Sequence, residues 1–565
     1  MKGPERPGLT GLGRDGPAGG PGLPPLHVTV PTERPEDLQL ETDPEVLRQR
    51  LMRVRYGPVP VLRELDRYLE RLHRARLPAQ LRGELLALAL GETVRAAREL
   101  ARRYRQQGGG IPEPAELGLG LGEAIHVAEQ VGAGYKLLFL TFLGQGETSP
   151  AEAAAVRTLE LLWLEQLLRG LRYQRLPARA WQDLNRIHQA ARERGLEGRP
   201  HPLKVRLEVG PGQGAAVLQP PERLSLGQLY LLIQLKGLLD TTSWPLDQAL
   251  RLDAYLAPLL GRLRVVEHGG GMVPQYHVAV EPHQARPPRL RWRQHPPAGA
   301  LLLDLRPLLA QVKTDQRVLA GEEAARRPSP SPAPSPALEG LSPGERQAFL
   351  AQLQHLLLPR ERLARRQRIY GLRYARLYVG FEDVHRLYRD LAVGAERDRA
   401  FWDRLAAYSQ AVAEDEDPAA ARWVVADEGT GGMQLRIQES RYSTPLQVGR
   451  LVAYGLCEDP PQQVRLGRVV RLERAGEREV EIAIARLPGE VRAVAVVGED
   501  GAELPALLLE GTAGGHRLLA DPDHPLVPGH HLRLRPWDGG PERHGTLGGP
   551  RLGTQDFTLF DLHPA

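Results

Sequence analysis

The chain has 565 residues, 42% of them hydrophobic, and a formal net charge of +5 from 74 basic and 69 acidic side chains. Such near-balanced charge argues against a dedicated nucleic-acid binder, which carries a large basic excess or a basic stripe. A single cysteine, Cys457, excludes an intrachain disulfide and a zinc ribbon. No stretch has the apolar length of a membrane span or the core of a signal peptide, so a cytoplasmic protein is expected.

Residues 1–40 are rich in glycine and proline (GPAGGPGLPPL) and are predicted to form a disordered tail. From Asp43 onward apolar residues recur every three or four positions, as in PVPVLRELDRYLERLHRARL and SPAEAAAVRTLELLWLEQLLRGLRYQ. This spacing predicts about five amphipathic helices over roughly 43–196. Short strands (VRLEVG, GAAVLQP), two further helices and a glycine hairpin (RVVEHGGGMVPQYHVAV) follow. Residues 41–320 thus read as a mostly helical domain with short β additions, either one unit or two subdomains. The alternating Pro and Ser of RRPSPSPAPSPALEG mark 321–345 as a linker.

Residues 346–565 open with a capped helix, SPGERQAFLAQLQHLLL, that runs into a basic cluster. A helical insertion is predicted over about 383–415, in an otherwise β pattern. Short strands at about 8–12-residue spacing read as a small barrel or sandwich with a C-terminal β extension. The fold class is α+β.

Two stretches of this last domain carry chemistry. The basic cluster holds Arg360, Arg362, Arg365, Arg366 and Arg368, with Arg362 and Arg366 spaced as RxxxR. A solvated helix end favoured by the helix dipole accounts for it. So does a clamp, since arginine forks onto phosphate or onto O6 and N7 of guanine and stacks on a base. The turn Asp427-Glu428-Gly429-Thr430-Gly431-Gly432 is either a glycine-rich hairpin or a nest of backbone N–H groups beside a carboxylate able to accept from a guanine amine. Trp423, just before it, reads as core. Elsewhere GLGLGEAI follows no strand, His516, His524, His530 and His531 lack metal-ligand spacing, and no nucleophile elbow, P-loop or triad is present. No enzyme, metal or cofactor is expected.

Together these motifs resemble the PilZ family. The matches are Arg362 and Arg366 in RLARR, Asp427, Gly429 and Gly432 in DEGTGG, and Gly467 in RLGRVVRL. The order of blocks, with VGF..VHRLY from Val379 to Tyr388, is similar to a long form with an N-terminal helical region and a C-terminal PilZ-like barrel. The resemblance implies a six-stranded antiparallel β-barrel and the ligand cyclic di-GMP. Arg362, Arg365, Arg366 and Arg368 would stack on guanine and contact phosphate. Asp427 would accept from a guanine N–H, and Gly429 and Gly432 would let backbone approach. The implied function is a non-enzymatic bacterial signalling receptor that passes ligand binding to a protein partner through its helical region. Departures exist: the family's serine is Gly429, the interval from Arg366 to Asp427 is long, and EVEIAIARL lacks a glycine often found there. Gly429 and the long interval favour the alternative of a PilZ-fold adaptor or scaffold that has lost the nucleotide. A third class, an RNA binder using the arginine excess, is disfavoured by the balanced charge.

Overall fold

Asp43 starts the helical region: its carboxylate accepts from the Glu45 and Val46 backbone N–H groups, and Pro44 fills the first helical position. The computed structural model describes residues 23–106, 115–205, 221–281, 283–290, 295–319, 335–358, 373–394, 423–438, 446–457, 459, 463–474, 479–497, 502–511 and 515–564. Six helices come first: α1 (Pro44–Arg53), α2 (Pro58–Arg74), α3 (Ala79–Gln106), α4 (Ala115–Gln145), α5 (Thr148–Leu171) and α6 (Ala178–Arg192). Helix α5 is the centre of this layer. It is buried along almost its whole length, which explains a sequence apolar on every side. Gly134 lets α3 and α4 approach, because a Cβ there would lie 2.5 Å from the Leu86 side chain. Within the stretch read as a tail, Leu26 and Val28 are buried against the helices, and Glu33 bridges to Ala75.

The region continues through β1 (His201–Pro202), β2 (Arg223–Leu224), α7 (Leu226–Leu238), α8 (Leu246–Leu256), β3 (Val265–Glu267), β4 (His277–Val280), β5 (Leu301–Asp304) and α9 (Arg306–Leu319). A reciprocal Ser225–Gln228 capping box starts α7. Strands β3, β5 and β4 form a small antiparallel sheet. Helix α10 (Pro343–Leu357) opens on a second capping box, Ser342 with Glu345, and packs on α9. Most of the residues read as a Pro/Ser linker lie outside the described residues.

The rest is β. Strands β6 (Tyr374–Val379), β7 (Trp423–Gly429), β8 (Gly432–Gln438), β9 (Leu451–Leu456), β10 (Arg465–Arg474) and β11 (Glu479–Arg486) close a barrel, interrupted after β6 by α11 (Phe381–Gly394). Residues 395–422, which hold the remainder of the expected insertion, lie outside the described residues. The α+β fold and the closed six-stranded antiparallel barrel are as the sequence predicts. The residues read as a β extension do more than extend it. Strands β12 (Glu490–Val497), β13 (Glu503–Glu510), β14 (His516–Ala520), β15 (His531–Pro536), β16 (Arg543–Gly553) and β17 (Thr558–Pro564) close a second six-stranded barrel. Closure removes the unpaired edges that a pair of open sheets would expose.

Alternation sets what faces inward. In β11, Val480, Ile482 and Ile484 point into the first core and the residues between them point out. Strand β9 is buried on both faces, because its outer side meets α11 and the second barrel. Asp556 locks that joint: its carboxylate accepts from the Arg450 guanidinium at 2.7 Å and the Leu451 backbone N–H at 2.8 Å.

Candidate functional site

The DEGTGG turn is a tight hairpin. Gly429 pairs with Gly432, and only Thr430 and Gly431 lie between the strands. Gly432 has φ +152°, and a Cβ there would sit 1.8 Å from the Ile484 carbonyl oxygen, so only glycine lets β8 run beside β11 here. Gly429 has open space where a Cβ would be. The tip is tied down by the Arg486 backbone N–H, which donates to the Gly431 carbonyl at 2.8 Å.

Glu428 is the clamp of this hairpin. Its two carboxylate oxygens accept from Arg373 Nη1 and Arg465 Nη1, each at 3.1 Å. The Arg373 carbonyl in turn accepts from the Val425 backbone N–H at 2.9 Å. The chain entering β6 is therefore fastened to β7 by backbone and side chain together. Burial pushes the hydroxyl of neighbouring Tyr454 above the ordinary tyrosine range, with Arg465 and Arg486 opposing that shift.

A bulge between Val425 and Asp427 shifts the ladder, so that Asp427 stands opposite Gln434. Continuing across the barrel, Gln434 stands opposite Ala483, and Ala483 opposite Arg471. Beside this row Glu481 accepts from Arg471 Nη2 at 2.7 Å, from Arg436 Nε at 2.8 Å, and from Gln434. The outer face of β7, β8, β11 and β10 is thus a polar strip, with Asp427 near one end and two arginines held in place by one glutamate. The sequence reading singled out Asp427, Gly429 and Gly432 here. It missed Glu428, Arg436, Arg471 and Glu481, although the alternation of charged with apolar residues in EVEIAIARL signalled an outward-facing Glu481.

Arg471 also lines a cleft of about 390 Å³ between this barrel and the helical region. Its other walls include Gln174, Arg175, Trp181, Asp240 and Leu358. Leu358 is the last described residue before the basic cluster, and Arg373 the first after it. Arg362, Arg365, Arg366 and Arg368 themselves lie outside the described residues. The described residues on either side of them are Leu358, which lines the cleft, and Arg373, which is part of the Glu428 clamp.

The helical region enters the barrel directly. Just past α5, Tyr173 adopts φ +55°, a left-handed conformation that costs a non-glycine residue about 1–2 kcal/mol. Its side chain is buried in the barrel core with Val480, Ile482 and Leu472. Its carbonyl accepts from the Arg474 backbone N–H at 3.1 Å. Arg175 joins Asp240 at 2.8 Å to Glu473 of β10 at 3.2 Å.

Residues 57–268 match the family model described as the N-terminal domain of the cyclic-di-GMP receptor FimW. Over these residues the helical region is similar to that receptor domain. The FimW match runs from the start of α2 to just past β3 and stops ahead of the barrels, so it supports the long form from the side opposite to the barrel motifs. No curated protein and no solved structure matches the chain. No described helix is long and apolar enough to cross a membrane.

Proposed function

We propose that this chain is a non-enzymatic bacterial receptor, acting in the cytoplasm, that binds cyclic di-GMP on the outer face of its first barrel and signals through its helical region to a protein partner. The observation that carries this reading is the polar strip from Asp427 to Arg471, bordered by the two points between which the arginine segment is strung. At about 3.3–3.6 Å per residue, Arg368 stays within roughly 18 Å of Arg373, and so near the hairpin. Arginines from the segment would stack on the bases and contact phosphate, and Asp427 would accept from a guanine N–H. A ligand held between the strip and the segment favours one arrangement of the barrel against α5, and Tyr173 and Arg175 are the contacts that feel the change.

Calorimetric titration with cyclic di-GMP tests the claim. The expected outcome is saturable binding with Kd below ~10 μM, and a loss of roughly tenfold or more on Asp427→Asn or Arg366→Ala, about 1.4 kcal/mol. Absence of binding by the intact chain sinks it.

The second reading is an adaptor that has lost the nucleotide, and Gly429 favours it by lacking a hydroxyl. The open space at Gly429 provides the discriminating test. A serine fits there without moving its neighbours, so Gly429→Ser should tighten binding by roughly threefold to tenfold, the worth of one hydrogen bond. An adaptor would capture the same proteins with and without nucleotide, and Gly429→Ser would change nothing.

A further inference from the structure

The second barrel repeats the first strand for strand. Read around the barrel from its first strand, the order is β6-β7-β8-β11-β10-β9 in one and β12-β13-β14-β17-β16-β15 in the other. The registers then place the paired residues of one barrel, outside the bulges, on partners in the other. Gly467 falls on Gly545, and both are glycine for the same reason. A Cβ on Gly467 would strike Ile484 at 2.7 Å and the Ala485 carbonyl at 2.8 Å, and one on Gly545 would lie 3.0 Å from Leu562 and from the His563 carbonyl. Both ladders slip at the same point, after Val469 in β10 and after Leu547 in β16.

The clamp is repeated as well. Arg373, Glu428 and Arg465 fall on Arg492, Glu510 and Arg543. Glu510 accepts from Arg543 Nη1 at 2.6 Å and lies 3.4 Å from Arg492 Nε. The turns between the hairpin strands open alike, with Glu428-Gly429 at the end of β7 and Glu510-Gly511 at the end of β13.

What differs is the outer face. By the same registers Asp427 falls on Leu509, Arg436 on Leu519 and Glu481 on Leu559. Where Arg436 is exposed, Leu519 is fully buried. The three leucines form one apolar cluster with Phe381, Val384 and Leu387 of α11. The positions that are polar on the first barrel at Asp427, Arg436 and Glu481 belong, on the second, to an apolar cluster in which α11, inserted by the first barrel between β6 and β7, packs together with Leu451, Ala453 and Leu466 of the first barrel.

We infer that the two barrels are one duplicated unit whose ligand face has taken two occupants: the nucleotide on the first barrel, and α11 on the second. The nucleotide half rests on the receptor reading above. The inference makes Arg436 and Glu481 ligand-face residues alongside Asp427, and it makes the second barrel blind to nucleotide. It also separates the hairpin's parts. The clamp, present in both copies, holds the fold, and Asp427, present in one, reads the ligand.

Exchanging residues between equivalent positions, in the full-length chain, tests both halves. Arg436→Leu with Glu481→Leu gives the first barrel the residues of the second, and Arg471, which loses its Glu481 partner, stays partly exposed to solvent. Cyclic di-GMP affinity should fall at least tenfold, with hydrogen exchange of residues 381–394 unchanged. Leu519→Arg gives the second barrel the residue of the first. Exchange of 381–394 should then rise at least tenfold, while nucleotide stoichiometry and affinity stay those of the parent. Leu387→Arg, from the helix side, should free α11 while the amides of β12–β17 keep their protection, which separates undocking from unfolding. Nucleotide binding that survives the double leucine variant and is lost with Leu519→Arg overturns the inference. So does unchanged protection of α11 in Leu519→Arg and Leu387→Arg. If the parent binds no nucleotide, the receptor reading fails alone, since the exchange readout does not depend on ligand.

Discussion

The two barrels share what closes a barrel and differ in what covers it. Their interiors are interchangeable in kind: Val425, Leu435, Ile482 and Ile484 in the first correspond to Leu508, Leu518, Phe560 and Leu562 in the second, all buried. Their outer faces differ in polarity at Asp427, Arg436 and Glu481, which fall on Leu509, Leu519 and Leu559, while Gln434 and Ala483 fall on the charged Arg517 and Asp561. The difference teaches that one fold specifies its core and its hairpin clamp, while the choice of occupant rests on a few outward positions that the core does not constrain. The largest effects should therefore come from matched core truncations. Leu435→Ala and Leu518→Ala each remove a fully buried leucine and should each cost about 2–5 kcal/mol. The two losses should be similar and should appear in different barrels by hydrogen exchange. A much smaller cost in one would show that its interior is not the copy the registers describe. Tyr173→Ala belongs with this group, because Tyr173 adds to the core of the first barrel alone. It should expose β10 and β11 to exchange and leave β12–β17 protected.

The hairpins give the next effect. Gly432→Ala forces a methyl onto the Ile484 carbonyl and should destabilise the first barrel by about 1–3 kcal/mol or more. Gly515, at the corresponding end of the second hairpin, has open space around its missing Cβ. Gly515→Ala should be near neutral in thermal denaturation. Equal losses at the two sites would remove the distinction between a cramped hairpin at the polar face and a roomy one in the copy.

The clamps come third. Glu428→Gln and Glu510→Gln keep the shape and remove the charge. The arginine partners are a third or more exposed, so solvent screening limits each loss to about 1 kcal/mol or less. The signature is parity: both losses should shrink together as salt is added. If Glu428→Gln also weakened nucleotide binding by more than the folding loss explains, Glu428 would be a ligand reader and the separation of clamp from reader would fail.

Much of the fold was legible in the sequence because its signals are local. Three- and four-residue apolar spacing gave the helices, capping boxes fixed where helices such as α10 begin, and alternation gave the strands. The hairpin that holds Asp427, Gly429 and Gly432 was legible as a turn because a glycine-rich stretch after a strand is a short-range pattern. Glu428, Arg436, Arg471 and Glu481 were not, because their roles depend on register across four strands. The second barrel went unseen for the same reason. Its strands were legible singly, but closure and equivalence to the first barrel lie in pairings such as β12 with β15, which join residues some forty positions apart. The sequence similarity of the copies is confined to short pieces such as the two Glu-Gly hairpin starts, since outward positions that bind different occupants have diverged.

The smallest effect concerns the helix that only the second barrel carries on this face. His385, on α11, is buried and stacks on Phe381 with ring centroids 6.0 Å apart. Burial holds its pKa below the ordinary histidine value. Arg389 and His524 push the same way, while a bond to the Val494 backbone and the charge of Asp390 oppose them. A histidine with a folded pKa below its unfolded value of about 6.5 is bound by more protons when α11 is undocked than when it is docked. Docking is therefore fully stable above that value and weakens as pH falls through it towards the folded pKa. Hydrogen exchange of residues 381–394, corrected for the intrinsic rate, should rise between about pH 6.5 and 5. The readout has to be local, because His73 in the helical region is held down to about 4 by burial and adds a loss of the same sign there. His385→Gln should flatten the α11 profile while leaving that of α2 in place. The polar strip of the first barrel has no histidine among its described residues, so exchange in β7 and β8 should change least over the same range. If β7 and β8 lost protection in step with α11, the two faces would be coupled through the barrel joint at Asp556 rather than independent.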